Sequence, residues 1–382
     1  MLFTTDFYKS PQEIVLALFC IFAAIQLFYL WFYYARVAFF KEKKPDHTSD
    51  QPPVSVIICA KNEYENLKTN LPILLEQDYP DYEVILVNDF SEDETYFLLR
   101  SLESRYKHFK VINLRGNVNF FEGKKLALAV GIKSAAHEIV LLTDADCRPA
   151  GKYWISSMAK GFDTKKDIVL GYGGYERKPG FLNALIRFDT LVIAMQFMGF
   201  ALAGRPYMGV GRNLAYRKNL FFKSGGFASH YKIKSGDDDL FINKVADKYN
   251  TSVVFTPRSH TFSHPKESFG AWFRQKKRHL STGIYYKFSH KLRLGLFSFT
   301  AFFFYVSFVA SLLLIQSYLS LMVVLGLFLL RAVSLIILHY YAGKRLSEQK
   351  LFIYSPIFDL ILVLLNPVFA LSNIFYRKNK WK

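Results

Sequence analysis

The sequence predicts an α/β domain, built on a doubly wound and mostly parallel sheet, that is inserted between transmembrane helices. Three observations lead to this prediction. Long apolar segments lie towards both ends of the chain, a polar block at about 45–286 separates them, and strand-like runs alternate with helical stretches inside that block. Strands that alternate with helices along a chain form parallel sheets with helices packed on both faces.

Composition limits the classes of protein to which the chain can belong. Of its 382 residues, 51% are hydrophobic, and the formal net charge is +18. A chain this apolar is not an ordinary soluble protein, and its excess of cations implies anionic partners such as nucleic acid, phosphate-bearing substrates or an acidic membrane surface. The cations cluster beside the apolar segments and no nucleic-acid recognition module is visible, so we expect no nucleic-acid partner. The cysteines Cys20, Cys59 and Cys147 form neither a disulfide framework nor a metal-binding spacing.

The first apolar segment, 14–40, is predicted to be a retained transmembrane anchor. It lacks the basic leading region and the small-residue cleavage site of a cleaved signal peptide. Three further apolar segments lie at about 294–315, 318–341 and 351–375. The chain is therefore expected to divide into an anchor, a folded domain, and a membrane region with two or three transmembrane helices, at 1–44, 45–290 and 291–382.

The charges beside the apolar segments predict the orientation of the protein. Lys and Arg clusters flank the folded domain on both sides, so the positive-inside rule places it in the cytoplasm, in a protein integral to the cell (inner) membrane. By the same rule the stretch 343–350 is cytoplasmic. The course of the last apolar segment stays open. A single crossing would carry the cations of 377–382 to the outside, whereas a re-entrant or interfacial course would keep them inside.

Charged residues within apolar stretches carry two further predictions. Arg331 and Asp359 lie inside the last two segments, and because a lone charge in a membrane is costly, we predict that they pair. Another apolar stretch, 181–204, is interrupted by Arg187 and Asp189. A spanning helix there would separate the acidic motifs described below onto opposite sides of the membrane. We therefore interpret 181–204 as an amphipathic helix at the membrane interface.

Four continuous apolar runs rich in β-branched residues mark the strands of the folded domain. Such runs are typical of strands that are buried on both faces. A helical stretch follows the first run, and another, at about 124–135, precedes the last. The runs are "PVSVIICA" (53–60), "EVILVND" (83–89), "VINL" (111–114) and "EIVLLTDAD" (138–146).

Polar side chains come directly after these strands. Asn62 and Glu63 follow the first strand, Asp89 ends the second, and Asp144 and Asp146 end the last. In a doubly wound sheet, ligands bind outside the carboxyl ends of the strands. Two carboxylates that flank a single residue repel each other unless a divalent cation holds them, and Mg²⁺ and Mn²⁺ prefer oxygen ligands. A solvated turn is the alternative, and the strand context favours the metal site.

A glycine and three aspartates open a helical stretch at 235–249. One aspartate is enough to cap the N-terminus of a helix. We therefore expect one of the three to act as a general base, provided that it reaches an acceptor hydroxyl.

Taken in order, these motifs resemble glycosyltransferase family 2, in the membrane-integrated branch that includes cellulose, chitin and hyaluronan synthases and ceramide glucosyltransferases. The resemblance covers nearly all of the folded domain and implies the GT-A fold of nucleotide-diphospho-sugar transferases. The order of the motifs along the chain is more specific to this family than any single motif. The motifs are "VSVIICAKNE", "VNDFSED", "GKKLALAVGI", "DADC", "GVGRNLAYRK", "GDDDL" and, at 273–282, "FRQKKRHLST".

The resemblance assigns residues to the nucleotide donor and to the metal ion. Asp89 would hydrogen-bond the base, Lys124 would lie near the donor phosphates, and Asp144 and Asp146 would hold Mg²⁺ or Mn²⁺. The family's usual Pro and Asn are Cys59 and Ala129 in this chain. The full set implied at the donor from these motifs is Ala60, Asn62, Glu63, Asp89, Lys124 and Asp144.

The resemblance also assigns the acceptor side. The loop of "GVGRNLAYRK" would help to form it, through Gly211, Arg212 and Asn213. In "GDDDL", aligned on its leucine, Asp237 takes the place of the general base, with Asp238 as the alternative.

The stretch "FRQKKRHLST" falls where this branch carries Gln-x-x-Arg-Trp. Gln275 and Arg278 match, and the resemblance implies that they cover the donor and bind its diphosphate. His279 replaces the tryptophan and could donate to phosphate. Lys276 and Lys277 are interpreted as part of a charged collar that orients the following membrane helix.

The activity implied is an inverting, metal-dependent transfer of a sugar from a nucleotide-sugar, with a UDP-sugar expected, to a lipid-linked or glycan acceptor at the cytoplasmic membrane face. A processive polysaccharide synthase is the alternative, for which an oligomer or a partner subunit could complete a secretion pore. A membrane transporter or channel with a nucleotide-sensing cytoplasmic domain would leave the acid-tipped strands without a purpose.

Overall fold

The computed structural model of the protein describes residues 10–41, 51–114, 124–233 and 235–375. Its helices, in chain order, are α1 (Pro11–Tyr29), α2 (Ala35–Ala38), α3 (Tyr64–Leu75), α4 (Thr95–Arg105), α5 (Lys125–Ser134), α6 (Trp154–Ala159), α7 (Phe181–Leu202), α8 (Lys218–Lys223), α9 (Asp239–Val245), α10 (Phe269–Leu280), α11 (Phe288–Leu313), α12 (Tyr318–Arg345) and α13 (Ser355–Phe375). Its strands are β1 (Val54–Ala60), β2 (Tyr82–Asn88), β3 (Phe109–Asn113), β4 (Ile139–Asp144), β5 (Cys147–Pro149), β6 (Ile168–Leu170), β7 (Gly173–Tyr175), β8 (Leu214–Arg217), β9 (Thr251–Val253) and β10 (Thr261–Ser263).

The large sheet has seven strands in the order β3-β2-β1-β4-β8-β6-β9. Strands β3, β2, β1 and β4 run parallel to one another, and β6 runs parallel to β9. Between these two groups, β8 runs antiparallel to both of its neighbours. The predicted α/β class with a mostly parallel sheet is therefore confirmed. The sequence did not predict the reversed β8 or the small second sheet, β5-β10-β7.

The central strands are continuous apolar runs because both faces of the sheet are covered. Ile57 of β1 packs into a core that α5 closes from one side with Leu128 and Ile132. Its neighbours Val56 and Ile58 point to the opposite face. There they join a second core to which α3, α4 and α6 contribute.

Five helical segments in the described part of the chain are long and apolar enough to cross a membrane. They are Pro11–Ala38 (α1 and α2, joined by a π-helical turn), α7, α11, α12 and Leu351–Ser372. Most of α7 is buried inside the protein, whereas the other four segments are largely exposed. The strands on either side of α7 both pair within the folded domain, β7 with β10 and β8 with β6. The chain thus leaves and re-enters one domain around α7, which favours the interfacial course, although its place relative to a bilayer stays a prediction.

The predicted pairing of Arg331 with Asp359 is confirmed. Arg331 Nη1 donates to Asp359 Oδ2 at 2.8 Å and to the Tyr305 hydroxyl at 3.0 Å, and Nη2 donates to Gln26 Oε1 at 3.2 Å. The guanidinium is almost fully buried. A charge inside an apolar helix bundle is tolerated when such partners surround it, and these partners join α1, α11, α12 and α13 at one point.

The loop between α12 and α13 is fastened to the folded domain. Arg187 of α7 donates to both carboxylate oxygens of Glu348, and Ser347 Oγ lies 3.2 Å from His260 Nδ1. Glu348 is almost completely buried by this contact. The loop 343–350 therefore lies on the same side as the folded domain, as its charge pattern predicted. The cations of 377–382 lie outside the described residues.

Candidate active site

One cavity of about 1670 Å³ collects most of the side chains that the sequence predicts to be functional. It begins at the carboxyl ends of β1 and β4, passes beneath α10, and continues between α11, α12 and α13. Ala60, Asp89 and Asn213 do not line it. The predicted residues that do are Asn62, Glu63, Lys124, Asp144, Asp146, Gly211, Arg212, Asp237, Asp238, Gln275, Arg278 and His279.

The parallel register of the sheet brings the first polar residues together. Cys59 of β1 lies opposite Asp144 of β4, and the Asp89 N–H donates to the Ala60 carbonyl at 2.8 Å. Asn62 has a positive φ of 54° and is held in place by the loop after β2. There its Oδ1 accepts from the Glu92 N–H at 2.8 Å. Ala60 is buried and Asp89 is half-buried behind this rim, so each supports it from beside the cavity.

Asp144 and Asp146 form the acid pair of the site. Their carboxylate oxygens and the Cys147 Sγ all lie within 4.8 Å of one another. Burial raises the pKa of the Cys147 thiol well above its ordinary value, so the thiol stays protonated and is a poor metal ligand. The donor set is thus two hard carboxylates beside a solvent-filled cavity, which fits Mg²⁺ or Mn²⁺ rather than zinc.

Lys124 makes an ion pair with the Asp144 carboxylate. The lysine holds the pKa of Asp144 below its ordinary value, against the opposing effect of burial, which raises it. The pKa of Asp146 is raised by burial and by the negative charge of Asp144. The pair therefore consists of one carboxylate already neutralised by a cation and a second one that lacks a comparable partner among the described residues.

The acceptor-side loop divides its predicted residues between the cavity and the interior. Arg212 donates to Ser263 Oγ at 3.0 Å and covers the Tyr175 ring, with 4.5 Å between the guanidinium carbon and the ring centroid. Asn213 is fully buried instead. Its Nδ2 donates to the carbonyls of Tyr172 and Ser259 at 2.8 and 2.7 Å. The expectation that Asn213 faces the acceptor is therefore corrected, because its amide joins the segments that precede β7 and β10 beneath the site.

The three consecutive aspartates have three different environments. Asp239 is buried and accepts hydrogen bonds from the Thr282 hydroxyl and, at 2.7 Å, from the Tyr286 hydroxyl. Asp238 accepts from the Gly211 and Asp239 N–H groups, both at 2.7 Å. Asp239 therefore ties the start of α9 to the segment after α10, and Asp238 ties it to the acceptor-side loop.

Asp237 is the aspartate that is left open to the cavity. It is half-exposed, and within the described part of the chain no hydrogen bond to its carboxylate is made. The neighbouring Asp238 has its pKa raised to about 7 by burial and by the charges of Asp237 and Asp239. Gly211 packs closely on this carboxylate, since a Cβ there would lie 3.3 Å from Asp238 Oδ2. Of the three, Asp237 is the best placed to meet a hydroxyl in the cavity.

Helix α10 forms the cover of the cavity. Gln275 Nε2 donates to the Tyr175 hydroxyl at 2.9 Å, which attaches the helix to the small sheet. Arg278 is half-buried and lines the cavity one turn later. His279 also lines the cavity, although its side chain is exposed, and partial loss of hydration there together with the nearby cation of Arg278 lowers the pKa of its imidazole.

Lys276 does not belong to an exposed collar, contrary to the interpretation made from the sequence. Its Nζ donates to Asp189 Oδ1 at 2.9 Å, and both side chains are only 8% exposed. Sequence reasoning missed this contact, together with the hydrogen bond between Tyr175 and Gln275. Each depends on partners far away in the chain, and the only local signal was the presence of Asp189 in an otherwise apolar stretch.

Comparison with known proteins gives a consistent result. Residues 55–228 match the family model described as Glycosyl transferase family 2. The probable glycosyltransferase YdaM of Bacillus subtilis (strain 168) is 26% identical over 243 residues, which cover 61% of this chain and 56% of the relative. The poly-beta-1,6-N-acetyl-D-glucosamine synthase of Staphylococcus aureus (strain COL) is 31% identical over 259 residues, which cover 65% and 59%. The chain thus spans little more than half the length of these curated relatives.

A solved structure extends the likeness to the fold. Mannosyltransferase PcManGT from Pyrobaculum calidifontis, in complex with GDP-Man and Mn²⁺, aligns with a TM-score of 0.57 at 20% sequence identity. The alignment covers 93% of this chain and 99% of that chain. The GT-A fold that the motifs implied is therefore confirmed.

Proposed function

Residues 55–228 form a glycosyltransferase family 2 domain, as the motifs predicted, and we propose that the protein uses it to transfer a sugar from a nucleotide-sugar to an acceptor at the membrane. The observation that carries this proposal is the single cavity. It holds the acid pair, the open aspartate and the basic cover of α10, and it runs on between the membrane helices. A donor and an acceptor can therefore meet inside one enclosed space.

The donor half of the cavity is suited to a nucleoside diphosphate. Asn62 and Glu63 form the rim on the β1 side, and Lys124 and Arg278 supply positive charge on either side of the acid pair. Guanidinium and ammonium groups bind phosphate oxygens through charge-assisted hydrogen bonds. Asp89 would reach the base from behind the rim. We assign the donor as a UDP-sugar, with UDP-N-acetylglucosamine as the first to test, since a relative is a synthase of an N-acetylglucosamine polymer.

Asp144 and Asp146 are the residues that would hold a divalent ion, Mg²⁺ or Mn²⁺. The mannosyltransferase with the same fold contains Mn²⁺ together with its nucleotide-sugar, which supports this assignment. When bound, such an ion neutralises charge on a nucleoside diphosphate. Lys124 and Arg278 add fixed positive charge in the same cavity, and this charge would stabilise a leaving diphosphate.

The part of the cavity between the apolar helices is suited to the acceptor that would receive the sugar. Beyond the aspartates, the cavity is lined by apolar side chains of α11, α12 and α13, among them Phe297, Leu335 and Leu362. A lipid chain fits such walls, and a hydroxyl at its head would lie near Asp237. The bilayer and a lipid-linked or glycan acceptor are therefore the partners that we propose, with the folded domain on the cytoplasmic face of the cell membrane.

The reaction would proceed by a single displacement. The acceptor hydroxyl oxygen forms a bond to the anomeric carbon while the bond from that carbon to the diphosphate breaks, which inverts the configuration. The hydroxyl proton passes to the Asp237 carboxylate, and the leaving nucleoside diphosphate takes the electron pair beside Arg278. Asp238 is fixed by two backbone N–H groups, so we give it the role of holding Asp237 in place.

The test combines a panel of sugar donors with two aspartate variants in the cavity and one exposed aspartate variant as a control. Purified full-length protein is incubated with UDP-N-acetylglucosamine, other UDP-sugars and GDP-mannose, with Mg²⁺ or Mn²⁺ and with or without a membrane lipid extract. Released nucleoside diphosphate and labelled product are measured. Asp237→Asn should bind UDP normally but lose transfer, and Asp146→Ala should lose metal-dependent UDP binding. The exposed Asp81→Asn should retain both. Near-normal turnover by Asp237→Asn would sink the base assignment. A protein that binds nucleotide but transfers no sugar to any acceptor would favour the transporter or channel with a nucleotide-sensing domain.

A processive polysaccharide synthase is the second candidate, and the extension of the cavity between the membrane helices favours it. A growing glycan could leave along that path, alone or with an oligomer or partner subunit that completes a pore. Product length separates the two candidates, because single transfer gives one added sugar whereas processive synthesis gives long chains at low substrate conversion.

A further inference from the structure

The second lysine of "GKKLALAVGI" makes contacts that no part of the proposed reaction uses. Lys125 is the first residue of α5 and is only 3% exposed. Its Nζ donates to three backbone carbonyls, those of His230 at 2.9 Å, Ser235 at 2.8 Å, and Ile233. These carbonyls belong to the segment that leads into Asp237. We propose that Lys125 is a positioning residue that holds this segment, and thereby Asp237, in the geometry required for transfer.

The three carbonyls provide one acceptor for each N–H donor of the Lys125 ammonium group. An ammonium group has three N–H donors and no acceptor. Burying such a charge is costly unless each donor finds a partner, and here the number of carbonyls equals the number of donors. A shorter or neutral side chain could not replace these bonds without leaving buried carbonyls unpaired. The contact therefore has the features of a specific clamp rather than of an incidental surface lysine.

The clamp acts one residue before the catalytic motif. Ser235 is followed by Gly236, whose φ of 94° lies in the left-handed region, and then by Asp237. Glycine adopts positive φ without steric cost, so Gly236 itself restricts the turn little and the contacts on either side must define its position. Fixing the Ser235 carbonyl on one side of Gly236, while Asp238 is fixed to Gly211 on the other, leaves the Asp237 side chain little freedom.

Lys125 also faces the negative charge of the motif. The carboxylates of Asp237, Asp238 and Asp239 all act electrostatically on its ammonium group. The bonds to the carbonyls place this cation near three consecutive acids, and its positive charge offsets their mutual repulsion. Charge and hydrogen bonding thus favour the same position of the loop.

The base of the clamp is rigid. Helix α5 packs on β1 and β2 through Leu128 and Ile132, and its approach is so close that a Cβ at Gly131 would lie 2.6 Å from Ile57 Cγ2. The preceding residue, Lys124, pairs with Asp144 of the acid pair. The start of α5 therefore contacts both halves of the site: Lys124 pairs with the acid pair, and Lys125 holds the segment that leads into Asp237. The role of Lys125 in catalysis rests on the proposed function of Asp237.

The experiment uses three variants of the full-length protein in detergent or nanodiscs. Lys125→Met removes the donors, Lys125→Arg restores a cation with several N–H groups, and Lys133→Met alters an exposed lysine on the same helix. Hydrogen–deuterium exchange of peptides that cover 228–238 reports the clamp without any need for activity. In parallel, kcat for sugar transfer and the Kd for UDP in the presence of Mn²⁺ are measured.

Lys125→Met should speed exchange of the 228–238 peptides and lower kcat by at least about 10-fold, because a misplacement of about 1 Å can cost about 100-fold. The Kd for UDP should stay within about 2-fold of the wild type, Lys125→Arg should recover part of kcat, and Lys133→Met should change nothing. Unchanged exchange in Lys125→Met overturns the clamp. Faster exchange with unchanged kcat, or an equal loss of UDP binding, overturns its catalytic role. If the wild type itself transfers no sugar, the proposed function fails, while the exchange data still decide whether the clamp exists.

Discussion

Breaking the buried ion pair between Lys276 and Asp189 is the perturbation whose size the structure defines best. The two charged groups lie 2.9 Å apart, and both side chains are only 8% exposed. The pair joins α10, which carries Gln275 and Arg278, to the largely buried helix α7. Its loss should therefore loosen the cover of the cavity from the body of the protein.

The expected cost follows from burial. Lys276→Met leaves the Asp189 carboxylate buried without its cation, and truncating one partner of a buried pair costs about 3–5 kcal/mol. A matched control is the pair of Lys152 and Asp78, which lie 3.7 Å apart with side chains 61% and 58% exposed. Exposed pairs contribute less than about 1 kcal/mol, so Lys152→Met should change stability little.

The assay is thermal unfolding of the purified protein in detergent. In a folded unit of about 150–250 residues, each 1 kcal/mol corresponds to about 2–4 °C in Tm, so Lys276→Met should lower Tm by roughly 6–20 °C. Replacing both charges, as in Lys276→Met with Asp189→Leu, should restore most of the loss, because apolar replacement of a whole buried pair is close to neutral. The reasoning is refuted if Lys276→Met is no more destabilising than Lys152→Met, or if the double variant is no more stable than the single one.

Three further predictions concern other charged groups. Arg331→Leu and Asp359→Leu should each lower Tm markedly, whereas the double variant should regain most of the lost Tm. If Arg331→Leu left Tm unchanged while Asp359→Leu lowered it, the two residues would not depend on each other for stability. Because Asp238 has a folded-state pKa of about 7 against an ordinary 3.8, the folded protein keeps a proton that the unfolded chain loses. The free energy of unfolding, measured without metal or nucleotide, should therefore fall as pH rises from about 4 to about 7. The fall should be less steep in Asp238→Asn. The same pH dependence in both proteins would count against a raised pKa of Asp238. Arg278→Ala should reduce the rate of sugar transfer by about 100-fold or more, with the protein still inserted in membranes. Replacement of the exposed Arg100 by Ala should leave the rate unchanged. A normal rate in Arg278→Ala would show that this arginine does not bind the diphosphate.

The sequence predicted the residues that lie at strand ends because the geometry of a parallel sheet is general. Continuous apolar runs define the strands, the carboxyl ends of parallel strands share one edge, and the polar residues that follow must gather there. Asn62, Asp144 and Asp146 were found by this reasoning alone. Asn213 was assigned to the acceptor side by the resemblance but is buried, because whether a side chain after a loop points into a cavity or into the core depends on tertiary packing that the sequence does not reveal.

Roles within a run of like residues were also beyond the sequence. Asp237, Asp238 and Asp239 are equivalent in composition, and only their partners distinguish an open carboxylate from two structural ones. The same holds for lysine: Lys276 resembles its neighbours in a basic stretch, yet its partner Asp189 lies 87 positions earlier in the chain. Lys125 likewise bonds to carbonyls more than 100 positions away. Contacts of this range are set by how α5, α7 and α10 pack together, which no local pattern encodes.

The position of α10 connects the cover of the cavity with the apolar helices that follow it in the chain. On one side the helix is fixed to the folded domain through Gln275, and on the other its Trp272 and Phe273 pack on Phe369 of α13, with ring centroids 5.5 and 5.0 Å apart. Helix α10 therefore connects α13 with the part of the cavity that Arg278 lines. The contact with Phe369 near the end of α13 also brings that end back towards the folded domain, which favours an interfacial or re-entrant course over a direct crossing. A domain boundary drawn at about 290 consequently separates two parts of the chain that pack directly on each other.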